Sequence, residues 1–89
     1  MSYRVEISPL AQKEIRSLPG YVRAQAIQLI DALAENPKPS RAKELRDKPN
    51  IFCIWLAKSW RIAYEVDDES KVIIILRVRQ KESIDYESL

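Results

Sequence analysis

The apolar residues of this chain repeat with two different periods, and the changes of period divide it into elements. Tyr3, Val5 and Ile7 alternate with Arg4 and Glu6, the spacing of a strand that turns these three inward. Ser8-Pro9 then starts a helix: the serine caps it, and the proline sits where its missing N–H costs nothing. Leu10, Ala11, Ile15 and Leu18 follow at near-helical spacing, and Pro19-Gly20 ends the run. A longer second helix carries Val22, Ala26, Leu29, Ile30, Leu33 and Ala34 as one apolar stripe. Asn36-Pro37 stops it, because the residue before a proline is pushed out of the α region. Period two returns at Ile51. Three runs, 51–57, 60–66 and 71–79, are rich in β-branched and aromatic residues, and Asp67-Asp68-Glu69-Ser70 links the last two. No connection has room for a crossover helix, so these runs are predicted to form an antiparallel meander. Residues 37–40 read as a loop, 41–50 as a charged irregular stretch anchored by Leu45, and 82–89 as a short tail with a single helical turn.

Strand alternation sorts the meander by face. Trp60, Ile62, Tyr64 and Val66 share one face of the middle strand; Arg61, Ala63 and Glu65 share the other. In the last strand Val72, Ile74, Leu76 and Val78 are assigned to the core face, and Ile73, Ile75, Arg77 and Arg79 to the opposite one. The order strand, helix, helix, three strands indicates one α+β domain over residues 1–89. Its antiparallel sheet, the N-terminal strand plus the meander, carries the helical hairpin on one face. The other face stays partly open and bears Arg61, Arg77 and Arg79, a surface that suits an anion.

Composition narrows the chemistry. An 89-residue domain buries roughly 60–65% of its unfolded surface, enough for a modest core without staples. One cysteine excludes an internal disulfide and a cysteine zinc cluster. No run has membrane length or the look of a signal, so the expected setting is soluble and cytoplasmic, away from any membrane. The 15 basic and 13 acidic residues give a formal charge of +2, which by itself announces no nucleic acid. With no histidine, the usual neutral-pH base is missing. Asp67, Asp68 and Glu69 have the look of a metal cluster, but turn chemistry at a hairpin connection accounts for them better, and no metal site or cofactor is expected. Cys53, with no histidine to pair with, reads as inert.

Several blocks resemble the RelE/ParE toxin superfamily: the opening Tyr-x-Val-x-Ile-Ser-Pro-x-Ala, the Leu-Ala-Glu-Asn-Pro that ends the second helix, Leu45-Arg46, Trp60-Arg-Ile-Ala-Tyr-Glu-Val-Asp-Asp and the closing Val-x-x-Lys-Glu…Tyr. The likeness covers almost the whole chain and fits the element order above. It implies a toxin of a type II toxin–antitoxin system, neutralised by a cognate, RelB-like antitoxin, with operator DNA reached only through the antitoxin complex. RelE-like members cleave messenger RNA in the ribosomal A site without a metal: the 2′-hydroxyl attacks the adjacent phosphate and leaves a 2′,3′-cyclic phosphate. ParE-like members share the fold but poison DNA gyrase and cut no RNA. A degenerate toxin that survives as an antitoxin partner is a third possibility.

By this resemblance Arg61 falls on the phosphate-stabilising arginine, Lys81 on a basic residue after the last strand, and Tyr86 on the C-terminal tyrosine that stacks or moves a proton. Cys53 and Trp55 fall where RelE-like members have two lysines. Arg77 and Arg79 add charge to the same face, so the basic patch is expected to have moved one strand across. On the residues alone, Arg61 reads as a surface arginine near Glu65, and Arg77 and Arg79 as a solvated strand face. Trp60 reads as core. Trp55 lies on the open face, where it can stack on a base or be covered by the antitoxin. The expected catalytic residues are therefore Arg61, Lys81 and Tyr86, and the expected RNA-binding residues Arg77, Arg79 and Trp55.

Overall fold

Ser8 begins the first helix as its position indicates: Oγ accepts a hydrogen bond from the Ala11 backbone N–H at 3.1 Å, with Pro9 in the first turn. The same hydroxyl donates to the Leu76 carbonyl, 3.2 Å away, so the cap also ties the helix to the sheet. The computed structural model describes residues 2–80. In order they form β1 (Arg4–Ile7), α1 (Pro9–Arg16), α2 (Gly20–Glu35), β2 (Lys43–Leu45), β3 (Lys48–Leu56), β4 (Trp60–Asp67) and β5 (Val72–Gln80). No side chain caps the start of α2. Instead Arg23 donates to the Ile15, Arg16 and Leu18 carbonyls, which closes the end of α1 with a cation where the helix dipole favours one.

The α+β architecture is the one the pattern indicates, with the helices packed on a single face of the sheet. Ala11, Leu18, Val22, Ala26, Leu29, Ile30 and Leu33 meet Phe52, Ile54, Leu56, Ile62, Tyr64 and Val66 in one buried cluster. The Phe52 and Tyr64 rings stack with centroids 5.7 Å apart. The Tyr64 hydroxyl donates to the Pro37 carbonyl, 2.9 Å away, and pins the loop after α2. Burial first, then the neighbouring Cys53 thiol, pushes the Tyr64 phenol up to about 12. Trp60 packs against this cluster, as its parity indicates.

Three features depart from the reading of the sequence. The sheet has five strands in the order β1-β5-β4-β3-β2 and is mixed, because β1 runs parallel to β5. Residues 41–50 are not irregular: they contain β2 and the start of β3. Three strand residues with two charges give no alternation to read, and a short charged strand is a common way to blunt a sheet edge. Its turn is closed by Glu44, whose carboxylate accepts from the Asn50 N–H at 2.8 Å, with Asn50 at φ 70.

The third departure changes the faces of β5. A bulge lies between Ala63 and Tyr64 on β4 and opposite Leu76: Ala63 pairs with Arg77, but Tyr64 pairs with Ile75. One extra residue flips parity. Ile73, Ile75 and Val78 therefore enter the core cluster, whereas Val72, Ile74 and Leu76, assigned to it from strict alternation, do not. Val78 keeps its core assignment because it lies beyond the bulge.

Asp67, Asp68 and Glu69 lie at the β4–β5 turn. Asp67 accepts from the Ser70 N–H, and Asp68 takes hydrogen bonds from Tyr3 and Lys38. Those partners hold the Asp68 carboxyl below its ordinary range, Lys38 first and Tyr3 second. Among the described residues no group of three or more His, Cys, Asp and Glu has metal-binding geometry. No helix among them is long and apolar enough to cross a membrane.

Candidate nucleic-acid interface

Cross-strand partners share a face, so the register of the sheet defines what stands beside what on its open side. One rung reads Trp55–Arg61–Arg79 across β3, β4 and β5. The next reads Lys43–Cys53–Ala63–Arg77 across β2 to β5. Three of the expected site residues, Trp55, Arg61 and Arg79, thus stand in one row. Lys81 and Tyr86 lie outside the described residues.

Arg61 is half-buried, and its guanidinium carbon lies 4.2 Å from the centroid of the Trp55 ring. Such a cation–π contact contributes about 0.5–2 kcal/mol depending on solvent access. It holds the guanidinium over the indole, and a guanidinium carries a planar fork of N–H donors that can meet a phosphate two-pronged. Trp55 itself is 41% exposed.

Arg77 and Arg79 are not presented as a bare strand face. Glu14 of α1 takes both. Its carboxylate accepts from Arg77 Nε at 3.3–3.4 Å and from Arg77 Nη2 at 3.2 Å, and it meets Arg79 Nε at 3.3 Å. It also accepts from the Val78 backbone N–H at 2.9 Å. The reason is topological. β1 pairs with β5 only as far as Ile75, so the rest of β5 is an open edge, and α1 covers it. The side chain of Arg77 is 15% exposed and that of Glu14 14%, which makes Arg77 an edge clamp. Arg79, 41% exposed, keeps part of its guanidinium towards solvent.

The cations that frame Arg61 come from the other side. A cleft of about 260 Å³ is lined by Arg41, Lys43, Arg46 and Arg61, with Trp55, Cys53 and Glu44 in its walls. Arg41, Lys43 and Arg46 are exposed and, among the described residues, enter no ion pair. The sequence reading missed this group along with Glu14. The charge density of 41–50 was visible, but its placement beside Arg61 depends on β2 pairing with β3. Cys53 is buried in the floor of the sheet, consistent with an inert residue.

A half-covered mixed sheet with an arginine over an indole in a basic cleft defines a small α+β protein with a cationic open face. Comparison with known proteins makes the class specific. A family model described as the ParE toxin of the type II toxin–antitoxin system parDE matches residues 5–84. The mRNA interferase toxin RelE of Escherichia coli (strain K12) is 32% identical over 83 residues, 92% of this chain and 86% of the relative. The intact E. coli RelBE toxin–antitoxin complex contains a chain that superposes with a TM-score of 0.80 at 31% identity, over 89% of this chain and 96% of that one. An archaeal RelE–RelB complex from Pyrococcus horikoshii OT3 gives 0.81 at 26% identity, over 94% and 100%. The chain belongs to the RelE/ParE family and is a type II toxin.

Proposed function

We propose that this toxin is a metal-independent endoribonuclease that cuts messenger RNA on the ribosome. The observation that carries the reading is Arg61, stacked on Trp55 in a cleft of cations, in a chain 32% identical to an mRNA interferase. The RNA 2′-oxygen forms a bond to the adjacent phosphorus, and the bond to the 5′-oxygen breaks. The products are a 2′,3′-cyclic phosphate and a 5′-hydroxyl. Charge builds on the non-bridging oxygens as the attack proceeds. Arginine stays protonated at any working pH, so Arg61 stabilises that charge and is not the base. The base is assigned to Tyr86 or Lys81. Tyrosine and lysine titrate near ~10 and ~10.4 in water, so the group that takes the proton has to be depressed by its surroundings in the complex. Arg79 and Trp55 are assigned to binding: a phosphate contact and a platform for a base.

A cognate antitoxin is the expected partner. The E. coli and Pyrococcus RelE chains are both found bound to RelB. Here Leu10, Tyr21 and Ile27 are large apolar residues exposed on the helices, surface that an antitoxin segment folding on contact would shield. The neighbouring open reading frame should encode a small acidic protein that co-elutes with this one. A toxin that expresses freely alone, is harmless and never co-elutes with that product counts against the pairing.

The name of the matched family model favours a second reading, a gyrase poison. Cleavage mapping in a purified translation system, beside the order of events after induction in cells, separates the two. Messages cut within translated codons, with protein synthesis stopping first, support the ribonuclease. DNA breaks and an SOS response while translation continues establish the gyrase poison and remove Arg61 from any catalytic role. Neither effect leaves a degenerate toxin that acts only as a partner in an operator-binding complex.

A further inference from the structure

On the ribonuclease reading, which supplies the ligand, the open face needs cations beyond Arg61 to hold the RNA backbone. We infer that Arg41 and Lys43 supply them, so that from the Arg79–Arg61 row the message continues across the sheet towards β2 and does not pass over Arg77.

Three observations point the same way. The first is the committed state of β5. Glu14 engages Arg77 at both Nε and Nη2 and also contacts Arg79 Nε, so the two arginines share one carboxylate at the α1 edge. An RNA phosphate seated on Arg77 would have to break a mostly buried ion pair and approach a carboxylate. The second is the register. Lys43 stands on the rung of Cys53 and Ala63, two small buried residues that separate it from Arg77. Arg61 stands two residues further along β4. From strand spacing and rise, the Lys43 and Arg61 Cα atoms are about 12 Å apart, a gap that two long side chains close onto neighbouring phosphates. The third is charge. Among the described residues, the cleft brings Arg41, Lys43, Arg46 and Arg61 together with a single carboxylate, Glu44, and that carboxylate already accepts from the Asn50 N–H. These cations converge beside Arg61, and a low-dielectric cleft focuses their field.

Arg41 and Lys43 thus act as binding groups for two backbone phosphates. The test uses ribosomes programmed with a message whose A-site sugars are 2′-O-methylated, so that it binds but is not cut. Affinity for wild type, Arg41→Gln/Lys43→Gln and Arg77→Gln is measured against salt. Each lost phosphate contact on a single strand flattens the slope of log affinity against log salt by about 0.7. The double variant should flatten it by about 1.4, and Arg77→Gln should leave the slope unchanged. Both substituted residues are exposed, so their loss leaves folding within about 0.5 kcal/mol of wild type. A parallel set of ribosomes whose message ends before the A site separates message from ribosomal RNA. A flattening seen only with the full message supports the inference. An unchanged slope, or the same flattening on both sets of ribosomes, overturns it. Cleavage of an unmodified message by wild type is scored alongside: its absence removes the ribonuclease reading, whereas cleavage with an unchanged slope in the double variant removes only this inference.

Discussion

Replacing Glu14 with alanine tests the clamp that sets Arg77 apart from the basic face. The carboxylate is 14% exposed and serves Arg77, Arg79 and the Val78 N–H at once. A hydrogen bond to a charged group contributes about 1.5–3 kcal/mol, which covers the Val78 contact. The Arg79 contact is solvent-screened and adds no more than about 1 kcal/mol. Leaving Arg77 mostly buried without its carboxylate costs more than the lost attraction alone. Together Glu14→Ala should lose about 3–6 kcal/mol. A chain of this length has roughly 4–13 kcal/mol of stability in all, so the loss is a large fraction of it. At about 4–8 °C per kcal/mol, Tm should fall by roughly 12 °C or more. Urea unfolding followed by tryptophan fluorescence reads this directly, since Trp60 packs on the core near α1. Glu14→Gln, which keeps an acceptor for the Val78 N–H, should lose about half as much. Arg77→Met, which leaves Glu14 free to hold Val78 and Arg79, should also cost less than Glu14→Ala. If Glu14→Ala unfolds within about 0.5 kcal/mol of wild type, the clamp contributes nothing. Arg77 would then be available as the sheet-face cation that the sequence suggested.

Other outcomes follow from the same geometry. Arg61→Ala should lower single-turnover cleavage on programmed ribosomes by about 10²–10³, the scale of one lost charge-stabilising donor, with ribosome association nearly unchanged; a wild-type rate would move the active site elsewhere. Tyr86→Phe should reduce that rate modestly if the ring stacks and more if its hydroxyl moves the proton. Tyr64, with its phenol raised from 10.0 to about 12, stays protonated in the folded chain while the unfolded chain ionises. Its contribution is intact below pH 10 and is lost as pH rises from 10 to about 12, so Tyr64→Phe should flatten the fall in stability over that window in alkaline denaturation. Ala57, at φ 53 in the β3–β4 turn, should tolerate Ala57→Gly with a gain of a few tenths to about 1 kcal/mol, read as a rise in the urea midpoint.

Much of this protein was legible locally. The Ser8-Pro9 cap, the apolar stripe from Val22 to Leu33 and the alternation of Trp60, Ile62, Tyr64 and Val66 each concern residues within a turn or two of one another. Side-chain period and capping chemistry act at that range, so two helices, a meander and most of the core can be read from the chain. The open face with Trp55 and Arg61 follows from the same alternation, and their likeness to a toxin family was carried by short blocks.

What tertiary structure decided lies beyond that range. The bulge at Leu76 exchanged Ile73 and Ile75 for Ile74 and Leu76 in the core, because pairing with β4 places it and no residue in β5 announces it. β2 became a strand only by pairing with β3, and that pairing carried Lys43 to the rung of Cys53. Glu14 found Arg77 across 63 residues of chain, at an edge that exists because β1 stops at Ile7. Whether an arginine on a strand is a ligand for phosphate or a strut depends on what reaches it through space. Spacing along the chain assigns a residue to a face, whereas the carboxylate that neutralises it arrives from another element.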